Sequence, residues 1–432
     1  MYALFTAIPL VGHVNPLLRQ AEELQRRGWR VAFAGAREIR AHVAAESPGL
    51  PFVDLGELGP IADQLRRDQE AASIDRNFVR GTFRILSGLA VAWPVAFDGL
   101  TASIAGDRPD LVVTDFFTSA GMCAAEAAQV PFVVNNPDLL ASLPITMLPP
   151  ADHLPRLFSG RSVGDVGWTQ RAAAPLLRRL AAAISAATIG RQLNALRRSR
   201  GLAPTTVDDL LRGRLILVNG AFGIEYERPL PPLVEMVGAM LPPAIPPLPP
   251  DLDAWLADGP PVVYVNLGTL AVALPSQLAK MAGALGAEGM RALWILRAPQ
   301  AAALPRPLPA GLRVMAWGPP PLAVLSHPNV KAFVTHAGIN SAHEAVTAGT
   351  PIVAIPMFAD QRDMAARMTD AGIGLRLDKT RFSAAELREA VLRVLREPSF
   401  PQRMPAAQAA LAKAGGVRRA VDLIERHPAR RS

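Results

Sequence analysis

One strand–turn–helix–strand stretch near the C-terminus constrains the fold more than any other part of the chain. An apolar segment, residues 330–335, runs into a turn at Gly338 and then into Asn340 and Ser341. Both of these residue types commonly cap helix N-termini. A second apolar segment, residues 351–356, follows after the length of a short helix. This succession predicts a strand, a capped helix and a parallel strand, which is one βαβ unit of an α/β fold.

The same unit brings polar groups to one edge of the predicted sheet. Unpaired N–H groups at the helix N-terminus and the positive end of the helix dipole both favour phosphate. His336 can donate a hydrogen bond to that phosphate, and Glu344 can accept from two neighbouring hydroxyls, such as a ribose diol. Asp360 and Gln361 follow the second strand, at the edge where open α/β sheets bind ligands. The unit therefore predicts a site for a diphosphate, a ribose and a hydroxyl-rich group.

These residues carry a resemblance to a known family. The pattern His-x-Gly-x-Asn-Ser-x-x-Glu with a later Asp-Gln, preceded by a segment that starts at Trp317, resembles the donor-binding signature of the UDP-glycosyltransferase superfamily. Bacterial natural-product enzymes of the macrolide type are included in that superfamily. The resemblance implies the GT-B fold, an α/β architecture of two Rossmann-like βαβ domains that face each other across a cleft. The donor-binding residues that it implies are Gly268, Thr269, Trp317, Gly318, His336, Gly338, Asn340, Ser341, Glu344, Asp360 and Gln361.

Strand and helix patterns alternate in two successive halves of the chain. Six prolines in the ten residues 241–250 can form neither a helix nor a central strand, so an extended linker is expected there. A ligand for an SH3-type domain is the alternative interpretation of this segment. The resemblance assigns acceptor binding to the first half and donor binding to the second. The predicted units are an N-terminal domain (1–240), the linker (241–250), a C-terminal domain (251–408) and a final helix that packs back on the N-terminal domain (409–432).

A histidine follows the first predicted strand. It lies in the motif Gly12-His13-Val14-Asn15-Pro16, in a predicted loop at the carboxyl edge of the sheet. An imidazole can take a proton from a hydroxyl at neutral pH. The resemblance places the general base of the family in this motif, so His13 is predicted to be that base. A surface histidine without a catalytic role is the alternative.

A histidine base needs a partner that orients it and stabilises the imidazolium. Asp115 ends the predicted strand 110–115 and therefore lies on the same edge as His13. The resemblance places the aspartate of the family's dyad in this context, and the alternative is a helix cap before Ser119. The implied reaction is inverting transfer of a hexose from a UDP-sugar to a hydroxyl of a small hydrophobic acceptor of polyketide, flavonoid, terpenoid or carotenoid type. Glucose is favoured because Asp360 and Gln361 would be left unpaired by a deoxysugar.

The UDP-sugar is a co-substrate, and the scheme requires no cofactor and no metal ion. Asp251-Leu252-Asp253 resembles a metal-binding Asp-x-Asp, but it follows the linker and begins a helix, so capping explains it better. The expected acceptor pocket draws on apolar residues of the N-terminal domain, many of which could instead be core: Phe78, Phe83, Trp93, Phe97, Phe116, Phe117, Leu143, Ile145, Met147 and Phe158.

The sequence departs from the signature in one place. The usual Trp-x-Pro-Gln is Trp317-Gly318-Pro319-Pro320 here, so a ribose contact is lost or replaced. A TDP-sugar-dependent natural-product glycosyltransferase therefore stays open as an alternative, as does a non-catalytic nucleotide-sugar-binding partner protein. A UDP-sugar 2-epimerase would share the fold but would not explain His13 with Asp115.

Composition limits the other classes of function. The net charge of +8 is spread over scattered arginines without a nucleic-acid motif, so no nucleic-acid partner is expected and weak attraction to an anionic membrane stays open. No signal peptide and no uninterrupted apolar run of about 20 residues is found, which predicts a cytoplasmic protein without a membrane span, either a monomer or a homodimer. The single cysteine, Cys123, lies on the apolar face of a predicted helix and is expected in the core.

Overall fold

The computed structural model describes residues 1–268, 271–286 and 289–427, which form two parallel β-sheets wrapped by helices. The strands of the first sheet are β1 (Tyr2–Thr6), β2 (Arg30–Gly35), β3 (Phe52–Asp54), β4 (Leu111–Asp115), β5 (Phe132–Asn136), β6 (Ile216–Val218) and β7 (Val234–Met236). Its helices are α1 (Val11–Arg26), α2 (Arg40–Glu46), α3 (Pro60–Ile74), α4 (Phe78–Val91), α5 (Trp93–Gly106), α6 (Ser119–Ala127), α7 (Trp168–Ser185), α8 (Arg191–Arg198) and α9 (Val207–Leu211). A π-helical turn, Ala186–Gly190, joins α7 to α8 without a break, and short 3₁₀ turns occupy Arg37–Ile39, Leu140–Ser142 and Val163–Asp165.

The second sheet repeats the plan. Its strands are β8 (Val262–Asn266), β9 (Arg291–Ile295), β10 (Leu312–Met315), β11 (Val330–Thr335), β12 (Ile352–Ala354) and β13 (Gly374–Arg376). Its helices are α10 (Pro250–Ala257), α11 (Pro275–Leu285), α12 (Ala298–Ala301), α13 (Pro321–Leu325), α14 (Ile339–Ala348), α15 (Gln361–Asp370), α16 (Ala384–Arg396), α17 (Ser399–Ala414) and α18 (Gly416–Arg426). Residues 241–249 form neither helix nor strand.

The strand order of both sheets creates one switch point in each. The first sheet runs β3-β2-β1-β4-β5-β6-β7 and the second β10-β9-β8-β11-β12-β13, and the strand pairs are parallel. The chain therefore leaves in opposite directions from β1 and β4, and again from β8 and β11. Ligands of open parallel sheets bind at the carboxyl ends of such strand pairs. The α/β prediction with two Rossmann-like halves is confirmed.

The strands at the switch points are buried on both faces because helices cover both sides of each sheet. β1 and β4 have no exposed residue, and the aromatic rings of Tyr264 on β8 and Phe333 on β11 stack with centroids 5.0 Å apart. Cys123 is fully buried in α6, as the core prediction requires. The switch-point strands therefore form rigid floors on which the loops and helix ends beyond them are fixed.

The C-terminal helix α18 lies against the first half of the chain. Ala420, Val421 and Ile424 are buried in the same core as α1 and β2. Arg27, directly after α1, forms an ion pair with Asp422 at 2.6 Å. A segment distant in sequence therefore completes the outer layer of the first sheet.

One element boundary differs from the prediction. Helix α1 begins at Val11, so Gly12 and His13 lie in its first turn and not in a preceding loop, and Pro16 lies inside the helix. Proline is common in the first turn of a helix, which is why the motif that ends at Pro16 was expected to form a loop.

Two helical stretches of the described residues are long and apolar enough to cross a membrane by length and composition alone. One is Phe78–Gly106, a third of whose most apolar window is buried, and the other is Trp168–Arg198, whose most apolar window has no buried residue. The expectation of no membrane span rested on uninterrupted apolar runs, and arginines interrupt the second stretch.

A buried ion pair joins the two halves. Arg367 lies on α15, and Glu225 follows β6. The Nε of Arg367 donates to the Glu225 carboxylate at 2.6 Å, and both side chains are about 5–6% exposed. Glu225 also accepts from the backbone N–H of Leu140 at 3.1 Å. Such a pair costs desolvation to form, but removing one partner leaves the other charge buried and unpaired.

Further contacts between the halves use backbone groups. Asp363 on α15 accepts from the N–H groups of Phe158 at 2.6 Å and Gly160 at 2.9 Å, in the loop that follows β5. Lys379 donates to the carbonyl groups of Ser73 at 2.9 Å and Met357, and burial lowers the pKa of its amine to about 8. Charged side chains of the second half therefore bond backbone groups at two separate segments of the first half.

The buried pair gives a stability prediction. Arg367→Met should destabilise the protein by about 3 kcal/mol, because Glu225 would stay buried without its cation. Differential scanning calorimetry should show the melting temperature fall by roughly 3 °C. The matched control is Arg393→Met, which removes the exposed Arg393–Glu397 pair and should shift the transition by less than about 1 °C. Equal shifts for both variants would contradict the role given to the buried pair.

Candidate active site

His13 and Asp115 meet at the switch point of the first sheet. His13 follows β1 in the first turn of α1, and Asp115 is the last residue of β4. The imidazole Nδ1 lies 2.9 Å from Asp115 Oδ1, while the His13 side chain is 21% exposed and that of Asp115 is fully buried. Because Nδ1 faces the carboxylate, Nε2 is the nitrogen left for a substrate. The predicted pair is therefore brought together in hydrogen-bonding geometry.

The Asp115 carboxylate is fixed by its own loop. Its Oδ2 accepts from the backbone N–H of Phe117 at 3.1 Å and from the hydroxyl of Thr118 at 3.0 Å. The Phe117 ring then packs edge-on against the His13 ring, with centroids 5.1 Å apart. The carboxylate, the imidazole and the aromatic ring therefore hold one another in place, which suits a base that must keep one orientation.

His336 lies at the switch point of the second sheet, held between two glycines. A Cβ on Gly268 would lie 2.8 Å from the His336 ring, and one on Gly338 would lie 2.5 Å from its Nε2. The backbone of Gly268 is also left-handed, with φ of +84°. Only glycine at both positions leaves room for the imidazole, which is why the site needs residues without side chains there.

Burial keeps His336 neutral. Loss of solvent lowers the pKa of its imidazole to about 4, so at neutral pH it carries one N–H donor and no charge. Thr335 Oγ1 lies 3.3 Å from Nδ1. If the threonine hydroxyl donates this bond, Nε2 carries the proton, and it faces Gly338 at the start of α14.

Helix α14 begins two residues earlier than predicted. Gly338 is the N-cap residue, and no side chain caps the helix, so Asn340 and Ser341 are not caps. They lie inside the first turn, where the backbone N–H groups have no intrahelical partner. The backbone before the helix is left-handed at Ala337, with φ of +60°. The first turn of α14 and the Nε2 edge of His336 therefore present donors in one place.

The Asn340 side chain instead crosses the cleft. Its Nδ2 donates to the carbonyl oxygen of Gly12 at 3.0 Å. In a regular helix the N–H of residue 16 would bond that carbonyl, but Pro16 has no N–H to give. The Gly-His-x-x-Pro motif therefore leaves an acceptor that the second half of the chain uses. The sequence carries this signal in Pro16, but the partner cannot be deduced without the fold.

Glu344 lies on α14 in surroundings that favour its neutral form. Burial, with a smaller contribution from Glu46 of the first half, raises the pKa of its carboxyl to about 8. Hydroxyl groups that donate to its oxygens would favour the charged form. A ribose diol could supply such donors.

Asp360 and Gln361 follow β12, as predicted, but the two side chains have different surroundings. The side-chain carbonyl oxygen of Gln361 accepts from the backbone N–H groups of Met357 at 2.8 Å and Phe358 at 3.1 Å. Its amide nitrogen is therefore the group that can contact a ligand. Burial raises the pKa of Asp360 to about 6, and Asp363 adds to the shift while His13 opposes it.

Asp138, which follows β5, completes this edge and was not predicted. Burial, and after it the nearby Asp360 carboxylate, raises the pKa of the Asp138 carboxyl well above its usual range. Two carboxyl groups in contact cannot both be ionised without a large repulsion. In the sequence, Asp138 is a polar residue shortly after a strand. It lies at the start of a long loop, so this pattern alone did not identify it.

The segment after β10 holds the remaining predicted donor residues. Trp317 is 74% exposed, so its indole is free to cover a flat ring. Gly318 packs on β9, where a Cβ would lie 2.6 Å from Ile295. Thr269 falls outside the described residues, so its predicted role stays a prediction.

The expected acceptor residues lie in different surroundings. Trp93, Phe97 and Leu143 are buried in the core of the first half. Phe116 is partly buried, and its ring meets Phe117 edge-on. Phe117 is the one that contacts His13. Apolar surface next to the histidine therefore comes from the loop after β4.

Asp251 and Asp253 lie in the first turn of α10, but the N-cap residue is Pro249 and neither side chain caps the helix, so the capping interpretation is wrong. Asp251 pairs with Arg313 at 2.9 Å. Within residues 1–268, 271–286 and 289–427, no group of three or more His, Cys, Asp or Glu side chains is arranged to hold a metal ion.

Comparison with known proteins identifies the family of this chain. Residues 96–406, well over half of the chain, match the family model described as UDP-glucoronosyl and UDP-glucosyl transferase. UDP-glycosyltransferase 1 of Phaeomoniella chlamydospora is 32% identical over 44% of this chain and 41% of its own length. The human 2-hydroxyacylsphingosine 1-beta-galactosyltransferase is 34% identical over 45% of this chain and 36% of its own. The match thus spans less than half the length of these curated relatives.

Solved structures share the whole fold. The glycotransferase of kitacinnamycin superposes with a TM-score of 0.71 at 22% identity, covering 99% of this chain and 98% of that one. Glycosyltransferase VinC, in complex with DTDP, gives 0.70 at 21% identity over the full length of both. The predicted GT-B fold is confirmed by these superpositions. The family match and the fold together show that the chain belongs to the UDP-glucoronosyl and UDP-glucosyl transferase family, as its resemblance implies.

Proposed function

We propose that this protein is an inverting glycosyltransferase that moves a hexose, with glucose favoured, from UDP-sugar to a hydroxyl of a small hydrophobic acceptor. The observation that carries the proposal is the His13–Asp115 hydrogen bond of 2.9 Å at the switch point of one sheet, joined through Gly12 and Asn340 to the helix start at the switch point of the other. A base and an anion site are thereby held on opposite sides of one cleft.

His13 begins the reaction. Its Nε2 takes the proton of the acceptor hydroxyl, and Asp115 stabilises the imidazolium that forms. The acceptor oxygen attacks the anomeric carbon from the side opposite the diphosphate. A new carbon–oxygen bond forms as the bond to the diphosphate breaks, which inverts the anomeric centre. Phe117, packed on His13, offers an apolar surface to the acceptor.

The leaving diphosphate meets donors that need no reorganisation. These are the His336 N–H and the first-turn N–H groups of α14, together with the positive end of the helix dipole. Because His336 is neutral, it stabilises the developing charge as a hydrogen-bond donor and not as a cation. No step is assigned to a metal ion.

The sugar and nucleotide preferences rest on the remaining residues. Asp360, Asp138 and the Gln361 amide can pair with several hydroxyl groups, which favours a fully hydroxylated hexose. Glu344 favours a ribose diol over a 2′-deoxyribose. Because the glutamine that usually follows Trp317 is replaced by Pro320, a TDP-sugar is the second candidate donor.

The proposal is tested by nucleotide release from UDP-glucose and, in parallel, TDP-glucose, against a panel of phenolic and aliphatic alcohols. Acceptor-dependent release from UDP-glucose is the expected result. Release only from TDP-glucose would move the nucleotide preference to the alternative. Tight binding of both nucleotides without release for any acceptor would favour the non-catalytic binding protein.

The base assignment predicts a separation of chemistry from binding. His13→Ala should lower kcat by at least about 100-fold, because no other group takes the proton, and should leave UDP affinity within about twofold. Asp115→Asn should also lower kcat, since the amide no longer stabilises the imidazolium. Steady-state kinetics and calorimetric titration with UDP measure the two effects. Full activity of His13→Ala would remove the histidine as base.

The Glu344 assignment predicts a pH dependence. The free carboxyl has a pKa of about 8, and hydroxyl donors of the ribose favour its charged form, so UDP binding should release a proton. UDP affinity should therefore rise as the pH increases toward 8 and level off above it. Glu344→Gln should bind more weakly and lack this rise, as calorimetric titration at several pH values would show. An identical pH profile for both proteins would contradict the assignment.

The glycine clamp predicts a loss at the phosphate subsite. Gly338→Ala places a Cβ where the His336 ring lies, so the ring must move and UDP affinity should fall about 10-fold or more. Gly283→Ala is the matched control, because its Cβ would meet nothing within 4 Å. Uridine, which has no phosphate, should bind both variants as it binds the unmodified protein. Equal losses for UDP and uridine would indicate general damage to the domain.

A further inference from the structure

The helical stretch Trp168–Arg198 presents an apolar face that the rest of the described chain does not cover. From Trp168 to Gly190 no residue is buried, although the sequence there is rich in alanine and leucine. Leu176, Leu180 and Ile184 recur at every fourth position and therefore share one face of α7. They are 70%, 53% and 49% exposed.

An aromatic residue stands at the start of the same helix. Trp168 is 80% exposed, which is the largest value among the exposed large apolar side chains of the described residues. Tryptophan is favoured at the boundary between water and lipid because its ring is apolar and its N–H is polar. Leucines flanked by tryptophan are typical of helices that lie in a membrane interface.

The charge of this stretch has a single sign. Residues 168–198 contain six arginines and no aspartate or glutamate: Arg171, Arg178, Arg179, Arg191, Arg197 and Arg198. Arg197 is buried and paired with Glu126, and Arg178 donates to the Leu148 carbonyl on the body of the protein. Arg171, Arg179, Arg191 and Arg198 are exposed. Exposed arginines beside an exposed apolar face are the complement of an anionic lipid surface.

The same features disfavour two other occupants. In a symmetric contact with a second copy, this helix would meet itself, and arginines would face arginines without acidic partners. A membrane span would place Arg178 and Arg179 within the hydrocarbon, between Leu177 and Leu180. The Arg178 bond to Leu148 also fixes α7 on the loop that follows β5, along the protein surface.

We propose that α7, with the π-helical turn and α8 that continue it, is an interfacial helix that docks the protein on an anionic membrane. Leu176, Leu180, Ile184 and Trp168 enter the boundary between headgroups and acyl chains, and the exposed arginines contact lipid phosphates. The protein binds peripherally, without a span. This inference is independent of the glycosyl transfer proposed above.

Co-sedimentation of the full chain with vesicles tests the proposal. The protein should pellet with vesicles of phosphatidylcholine mixed with phosphatidylglycerol, should pellet less at high salt, and should stay in solution with phosphatidylcholine alone. The triple variant Leu176→Ser, Leu180→Ser, Ile184→Ser should lose this binding. Its matched control is Val79→Ser, Phe83→Ser, Val91→Ser, which replaces three exposed apolar residues of α4 and should bind as the unmodified protein does.

A charge variant provides a test that does not alter the apolar face. Arg179→Gln with Arg191→Gln should weaken binding about 25-fold, since each basic residue near an anionic surface strengthens binding about fivefold. Arg84→Gln with Arg388→Gln, two exposed arginines elsewhere, is the control and should change binding little. Both pairs remove the same net charge, so a difference between them reports position.

Three results would overturn the proposal. The first is an unmodified protein that does not pellet with the anionic vesicles. The second is an equal loss of binding in the test and control variants. The third is a dimer in gel filtration that the triple serine variant converts to a monomer, without vesicle binding by either protein, because a second copy would then cover the face.

Discussion

The hydrogen bond from Asn340 to the Gly12 carbonyl ties together the two halves of the candidate site. It exists because Pro16 cannot close the first turn of α1, which leaves a carbonyl free four residues before it. The bond joins the first turn of the helix that carries His13 to the first turn of the helix that presents donors to an anion. Asp363, Arg367 and Lys379 also contact the first half of the chain and fix the two halves relative to each other. Each half alone would offer only part of the chemistry.

Burial sets the charges on the donor side of the cleft. It lowers the pKa of His336 to about 4 and raises the pKa of Glu344 to about 8, so both groups favour their neutral forms near neutral pH. Two neutral groups repel an incoming diphosphate less than an ionised carboxylate would, and they gain hydrogen bonds when hydroxyls and phosphate arrive. The two glycines beside His336 have a steric role. A side chain at Gly268 or Gly338 would occupy the space of the imidazole.

The alternation of apolar strands and helices was sufficient to predict two Rossmann-like halves, and parallel pairing then placed His13 beside Asp115, since both follow strands at one switch point. The helix starts were harder, because a proline at position 16 fits either a first turn or an interior turn whose carbonyl finds another partner. Asp138 and the Asn340 contact depend on residues from the other half of the chain, so the polar residue near a strand end and the proline at position 16 did not identify them without the fold. The exposed face of α7 was also missed, because apolar periodicity predicts burial whether or not anything covers it.

The configuration of the product tests the central claim most directly. With UDP-glucose, whose anomeric centre is α, one displacement by an acceptor activated by His13 should give only the β-glycoside, which proton NMR identifies from the coupling of the anomeric proton. An α-glycoside as the initial product would contradict the account, because it would require either two displacements or attack from the face that the diphosphate leaves.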